Sequence, residues 1–225
     1  PSGIRLGTPW LTQRGADVTI IERLADVIAD VLLACEPFSY TGRNAKRAKI
    51  DFDTLQDARL RVRDIVDELG IDTNADADGY PHFSYADDVY PDGWQTFTIV
   101  GERAADFLDI AATNNVYALS DGDTQASHFL APDGSLMASG WVEKASDDTY
   151  LVHVSEDVGR FVTWLRALSD GFVRIDPTDV YAKVPGPVIV HYKGNVASVL
   201  DLPDSNAGYA QKAYYIGING DHHTA

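Results

Sequence analysis

Sulfur is almost absent: the 225 residues contain one cysteine, Cys35, and one methionine, Met137. A lone cysteine excludes an intrachain disulfide and a thiolate zinc cluster, both of which need several sulfurs, and points to a reducing cytoplasm. Basic charge is also scarce. Lys plus Arg number 18 against 34 Asp plus Glu, for a formal charge of -16. Such a field repels phosphate backbones and anionic headgroups, so no nucleic acid and no membrane surface is expected as a partner. Long apolar runs are missing too: no stretch reaches the ~18 residues a membrane helix needs, and no basic, apolar, small-residue signal opens the chain. The first residue is Pro1, which reads as a fragment or a processed product. What is present is globular in character, at 45% hydrophobic and 23% charged residues with four Trp, eleven Tyr and eight Phe, enough for one large domain or two small ones.

From Asp17 to Cys35, Ile20, Ile21, Leu24, Val27, Ile28, Val31 and Leu32 recur at helical steps, with Asp17 or Thr19 available as cap. The basic stretch from Thr41 to Lys49 has too few apolar residues to be buried and reads as a solvated loop. A second amphipathic helix is predicted from Asp53 to Leu69, with Leu55, Ala58, Val62, Ile65, Val66 and Leu69 inward and Gly70 at its stop. The first seventy residues therefore read as mainly helical. Between Gly70 and Gly93, Asp, Asn, Gly, Pro and Tyr without a sustained period mark a linker. Beyond it, strands are predicted at Thr96–Val100, at Ser127–Leu130 and Gly140–Glu143 around an Asp133-Gly134 turn, and at Tyr150–Val154, Gly171–Ile175 and Pro187–Val190. Helices are predicted at Glu102–Ala112 and Glu156–Leu168, which makes the second half α+β.

Candidate chemistry is sparse. Asn74-Ala-Asp-Ala-Asp-Gly79 fits the first half of a calcium loop, but Tyr85 stands where the bidentate Glu is needed, so it reads as a solvated acidic loop. None of the histidines 82, 128, 153, 191, 222 and 223 lies at metal-ligand spacing on a predicted helix, and His222 and His223 read as a disordered chain end. Cys35 ends a helix without a basic neighbour and reads as a packed thiol. No phosphate loop, G-x-S-x-G or G-x-G-x-x-G occurs. Arg5, inside an apolar, glycine-interrupted run, is either buried against a carboxylate or on an edge strand reaching water, and the residues leave both open.

The run Ser2-Gly-Ile-Arg-Leu-Gly-Thr-Pro-Trp-Leu-Thr-Gln-Arg-Gly15 closely resembles the serine hydroxymethyltransferase signature S-G-[IL]-R-[ILV]-G-T-P-A-[ILV]-T-x-R-G, and the likeness extends to about residue 70. The resemblance implies the end of a fold-type I small domain in which Arg5 holds the substrate carboxylate. Trp10 departs from the usual Ala. That family binds pyridoxal phosphate through a Lys in a Thr-x-x-Thr-His-Lys-type motif, which surrounds no lysine here. The implied cofactor site therefore lies on an upstream domain or a dimer mate.

From about Phe97 to Val190 the chain resembles, more weakly, the aminomethyltransferase (T-protein) of the glycine cleavage system. The likeness rests on Gly101–Leu108, Thr113-Asn-Asn-Val116 and the hairpin at Asp133-Gly134, with Tyr214–Gly217 as a short echo. It implies a helix-on-antiparallel-sheet, folate-binding-type domain, in which Ala138 and Ser139 fall where that family carries an Asp pair. Trp141, Tyr150 and Phe129 are the candidate folate-pocket residues. Together the resemblances imply an α+β chain with a hydroxymethyltransferase-like segment over 1–70, a linker over 71–93 and an incomplete aminomethyltransferase-like domain over 94–225. They imply a fragment of a glycine/serine one-carbon fusion protein, dependent as a whole on pyridoxal phosphate and tetrahydrofolate but not catalytic by itself. The rival is a noncatalytic module that holds a folate-like ligand or contacts another domain.

Overall fold

The computed structural model describes residues 6–39, 47–70 and 90–195, together with the backbone of 214–216 and 222–224. Arg5, the acidic loop 74–85 and most of the expected linker lie outside them. The protein is α+β: helices accompany a five-stranded antiparallel sheet. Its internal contacts divide it into two compact units, Pro1–Cys35 with Asp53–Asp88, and Glu36–Phe52 with Val89–Ala225.

The first unit is helical. The short α1 (Pro9–Gln13) has Pro at its start, and α2 (Val18–Ala34) begins at Asp17, whose carboxylate accepts from the Ile20 amide at 2.9 Å. This is the side-chain cap the sequence offered, and it satisfies one of the helix's orphan donors. Helix α3 (Phe52–Glu68) ends before Gly70, which takes φ +60°, a conformation only glycine adopts freely. Arg61 reaches from α3 to Asp30 of α2 at 2.6 Å. Helical spacing sorted the apolar residues less completely than expected. Of the α2 stripe only Ile20 and Val27 are buried, whereas Leu32 is 53% exposed.

Between α2 and α3 the chain forms a ribbon instead of continuing as helix and loop. Strands β1 (Glu36–Phe38) and β2 (Arg47–Lys49) pair antiparallel, Glu36 against Lys49. The basic stretch therefore ends in a buried lysine rather than in solvent, because the Lys49 ammonium donates to the Ala182 carbonyl and lies 6.0 Å from the centre of the Phe38 ring.

The sheet of the second unit runs in the order β4-β5-β6-β3-β7, with β3 (Gln95–Val100), β4 (Thr124–Leu130), β5 (Leu136–Ser146), β6 (Thr149–Val154) and β7 (Ile189–Gly194). Helices α4 (Ala104–Ala111) and α5 (Val158–Asp170) supply its buried apolar partners, such as Phe107, Leu108, Phe161 and Leu165. The stretch Gly171–Ile175, expected as a strand, makes only an isolated bridge, Val173 to Ile50, held by Ile50 N–H to the Phe172 carbonyl and Arg174 N–H to the Ile50 carbonyl. With one bridging pair it extends no ladder. The tail pairs β8 (Tyr214–Ile216) with β9 (His222–Thr224), so His222 and His223 belong to a strand and not to a frayed end.

Candidate functional site

Alternation along the strands divides the sheet into two faces. On β5, Ala138, Gly140 and Val142 point one way, opposite Phe129, Ser127 and Gln125 of β4. This face is apolar: Phe129 is fully buried and meets Phe161 of α5 edge-on at 4.7 Å. The other face carries Ser139, Trp141 and Glu143 of β5, His128 of β4, His153 of β6, and Thr96 and Thr98 of β3.

The three pocket residues expected from the sequence are not brought together. Phe129 and Tyr150 share the apolar face, but Phe129 opposes Ala138 and Tyr150 opposes Lys144. Six residues of β5 separate those partners, roughly 20 Å at ~3.3 Å per residue. Trp141 lies on the opposite face. Residue identity had suggested an aromatic pocket, whereas the register assigns two of the rings to the helix-covered core. Of the two positions aligned with the Asp pair, Ala138 is buried on the apolar face, and Ser139 accepts or donates at 2.9 Å to His128 Nδ1 on the polar one.

The polar face centres on His153, which the sequence reading passed over. It sits directly across the ladder from Trp141 on one side and Thr96 on the other. Its side chain is 1% exposed. Thr96 Oγ1 lies 2.9 Å from Nδ1, and Glu143 Oε2 makes a long 3.4 Å contact with Nε2. If Nδ1 carried the proton, the Nε2 lone pair would face a carboxylate. The neutral ring is therefore read with Thr96 donating to Nδ1 and the Nε2 proton directed at Glu143. Burial lowers the ring's affinity for a second proton, against the pull of Glu143 and with a smaller push from Lys193. Trp141 Nε1 is buried and has no hydrogen-bond partner. Of two buried nitrogens on facing residues, His153 Nε2 thus has a single long contact and Trp141 Nε1 has none, in an interior where such groups are normally paired. His128 is also shifted toward its neutral form by burial. The signal that could have found this cluster is the period-2 placement of polar residues on three predicted strands, visible only once register is known.

The first unit offers a different kind of surface. Leu6, Val27, Ile28, Val31 and Leu32 face Leu55, Ala58, Val62 and Val66 across an apolar groove of about 420 Å3, with Arg59 and Arg63 at its edge. Leu33 beside it is 86% exposed.

Among the described residues no lysine is placed to hold pyridoxal phosphate. Among the described lysines, Lys49 is committed to the Ala182 carbonyl and Lys144 is paired with Asp121 at 3.0 Å and Asp147 at 3.2 Å, while Lys183 and Lys193 stand exposed on the surface. None of these four lysines stands in a cavity with a phosphate cradle. No group of three or more His, Cys, Asp or Glu among the described residues is placed to hold a metal ion, and no described helix is long and apolar enough to cross a membrane.

No protein-family model matches the chain, and no curated protein matches it. Among solved structures, the crystal structure of glycine cleavage system aminomethyltransferase T from Bartonella henselae aligns with a TM-score of 0.27 at 14% identity. The alignment covers 28% of this chain and 17% of that one, too little to assign either fold or function.

Proposed function

We propose that this chain is part of a glycine/serine one-carbon-metabolism protein in which a serine hydroxymethyltransferase is joined to an aminomethyltransferase-like domain, and that it is not catalytic by itself. One observation carries the reading: the run from Ser2 to Gly15 reproduces the hydroxymethyltransferase signature at every position quoted for it except Trp10. In this reading Arg5 grips a substrate carboxylate through a two-pronged ion pair. Pyridoxal phosphate, which supplies an electron sink for bond cleavage at the amino-acid α-carbon, belongs to residues upstream of Pro1 or to a dimer mate. Tetrahydrofolate falls to the second unit, and the compartment is the cytoplasm. An arginine without the cofactor lysine orients a substrate but breaks no bond. The groove between α2 and α3 supports the same reading, since apolar helix faces of that extent are ones a complete domain covers. The test is purification of the protein translated from the whole reading frame. Visible absorbance from retained pyridoxal phosphate is expected, and a colourless protein that gains none on adding the cofactor overturns the reading.

A second reading, a noncatalytic module for a folate-like ligand, is supported by the partnerless Trp141 Nε1 beside His153. Calorimetry with tetrahydrofolate tests it: no heat and no thermal shift at millimolar ligand removes it.

A further inference from the structure

We propose that His153 makes the polar face of the sheet a pH-sensitive element: on protonation the ring reverses its hydrogen bond with the Thr96 hydroxyl, draws Glu143 onto Nε2 and alters the surroundings of the Trp141 indole. The inference is independent of the one-carbon reading and rests on the geometry of three adjacent strands.

In the neutral state Nδ1 is an acceptor for Thr96, 2.9 Å away, on β3. A second proton must go to that same nitrogen, because the other already carries one. The imidazolium has no lone pair left, so the threonine hydroxyl, itself buried, must turn its own proton away and accept from Nδ1–H instead. On the opposite side the new charge strengthens the attraction between Nε2 and Glu143, whose carboxylate is 25% exposed and free to move the few tenths of an ångström that would close 3.4 Å to a charge-assisted bond. Protonation therefore tightens the ring's link to β5, across the strand pair that carries Trp141 opposite His153.

The groups acting on the ring come from three strands. Strand β5 brings Glu143, which favours the proton; β7 brings Lys193, which opposes it; β3 brings Thr96 and nothing ionisable. His128 on β4 and His191 on β7 share this face of the sheet. Burial holds the ring neutral at pH 7, so the change falls on the acid side of the usual histidine range near ~6.5.

The experiment follows tryptophan emission of the full chain from about pH 8 to about pH 5, with Trp141→Phe subtracted to remove the other three indoles. An acid transition confined to the Trp141 signal is expected, since a nearby imidazolium quenches indole emission. Its midpoint should coincide with the NMR titration of one imidazole below ~6.5, and Glu143→Gln should move both to lower pH by removing the favourable carboxylate. His153→Gln should abolish the transition. The NMR arm reads the wild-type protein, so the inference stays open to refutation if that variant does not fold. A Trp141 signal flat over this range, or a transition that survives unshifted in Glu143→Gln, overturns it.

Discussion

Gly140→Ala tests the sheet at its tightest point. A Cβ built on Gly140 would lie 2.1 Å from the His153 carbonyl oxygen and 2.9 Å from Val154 Cγ1. The first contact is with backbone, so it is relieved only by moving β6 away from β5 by more than an ångström. That displacement opens the ladder where Gly140 pairs with Val154. Overpacking of this kind costs ~1 to 3 kcal/mol, and weakening one or two ladder hydrogen bonds adds ~1 kcal/mol each, so a loss of about 2 to 5 kcal/mol is expected. Urea unfolding followed by far-UV circular dichroism reads it. With a slope of ~2 to 3 kcal/mol per molar, the midpoint should fall by roughly 0.7 to 2.5 M. Gly159→Ala is the matched comparison. No atom lies within 4 Å of its added methyl, and it sits inside α5, where Ala is favoured over Gly by ~0.5 to 1 kcal/mol. One substitution should destabilise and the other stabilise. If Gly140→Ala unfolds within about 1 kcal/mol of the parent chain, the packing of β5 against β6 described above is wrong.

Three further outcomes follow from single residues. Phe129→Ala removes a fully buried ring in edge contact with Phe161 and should cost ~3 to 5 kcal/mol in the same assay; a loss below 1 kcal/mol would mean the ring is not core. Asp17→Ala removes the acceptor for the Ile20 amide and should lower stability by ~1 kcal/mol, with Asp17→Asn recovering most of it, whereas equal losses in both would point to charge in place of capping. Tyr117 donates to Asp106, which with burial pushes its pKa up to about 12. The folded state therefore holds a proton that the unfolded chain releases near ~10, so Tyr117 stabilises below pH ~10 and that share is lost as pH rises toward 12. Burial also raises Tyr150, so tyrosinate absorbance should show a late component that shrinks in Tyr117→Phe, and a late component unchanged by that substitution would contradict the pair.

The helices α2, α3, α4 and α5 and the strands β3 to β6 were legible in the sequence because each satisfies a local rule: a cap at Asp17, a stop at Gly70, a hairpin turn at Asp133-Gly134. What was not legible depended on distant partners. Lys49 is buried because Ala182, more than a hundred residues later, presents its carbonyl, and no composition rule places a lysine there. Phe172 and Arg174 form an isolated bridge because, among the described residues, their backbone bonds go to Ile50 alone. The candidate site failed in sequence reading for a related reason. Aromatic identity linked Phe129, Tyr150 and Trp141, but pleat and register place them on two faces and at two ends of the sheet. The same register gathers Thr96, Glu143 and His153, whose separation in sequence concealed them.

The central claim is that the segment from Ser2 to Gly15 is the amino-acid grip of a hydroxymethyltransferase, and the most direct measurement is the binding of serine and glycine to the whole-frame protein with Arg5 intact and with Arg5→Lys. A lysine keeps the charge but loses the two-pronged geometry, worth ~1.5 to 3 kcal/mol, so a weakening of ~10-fold to ~150-fold is predicted with cofactor retention unchanged. Equal affinities for both amino acids in the two proteins would contradict the account.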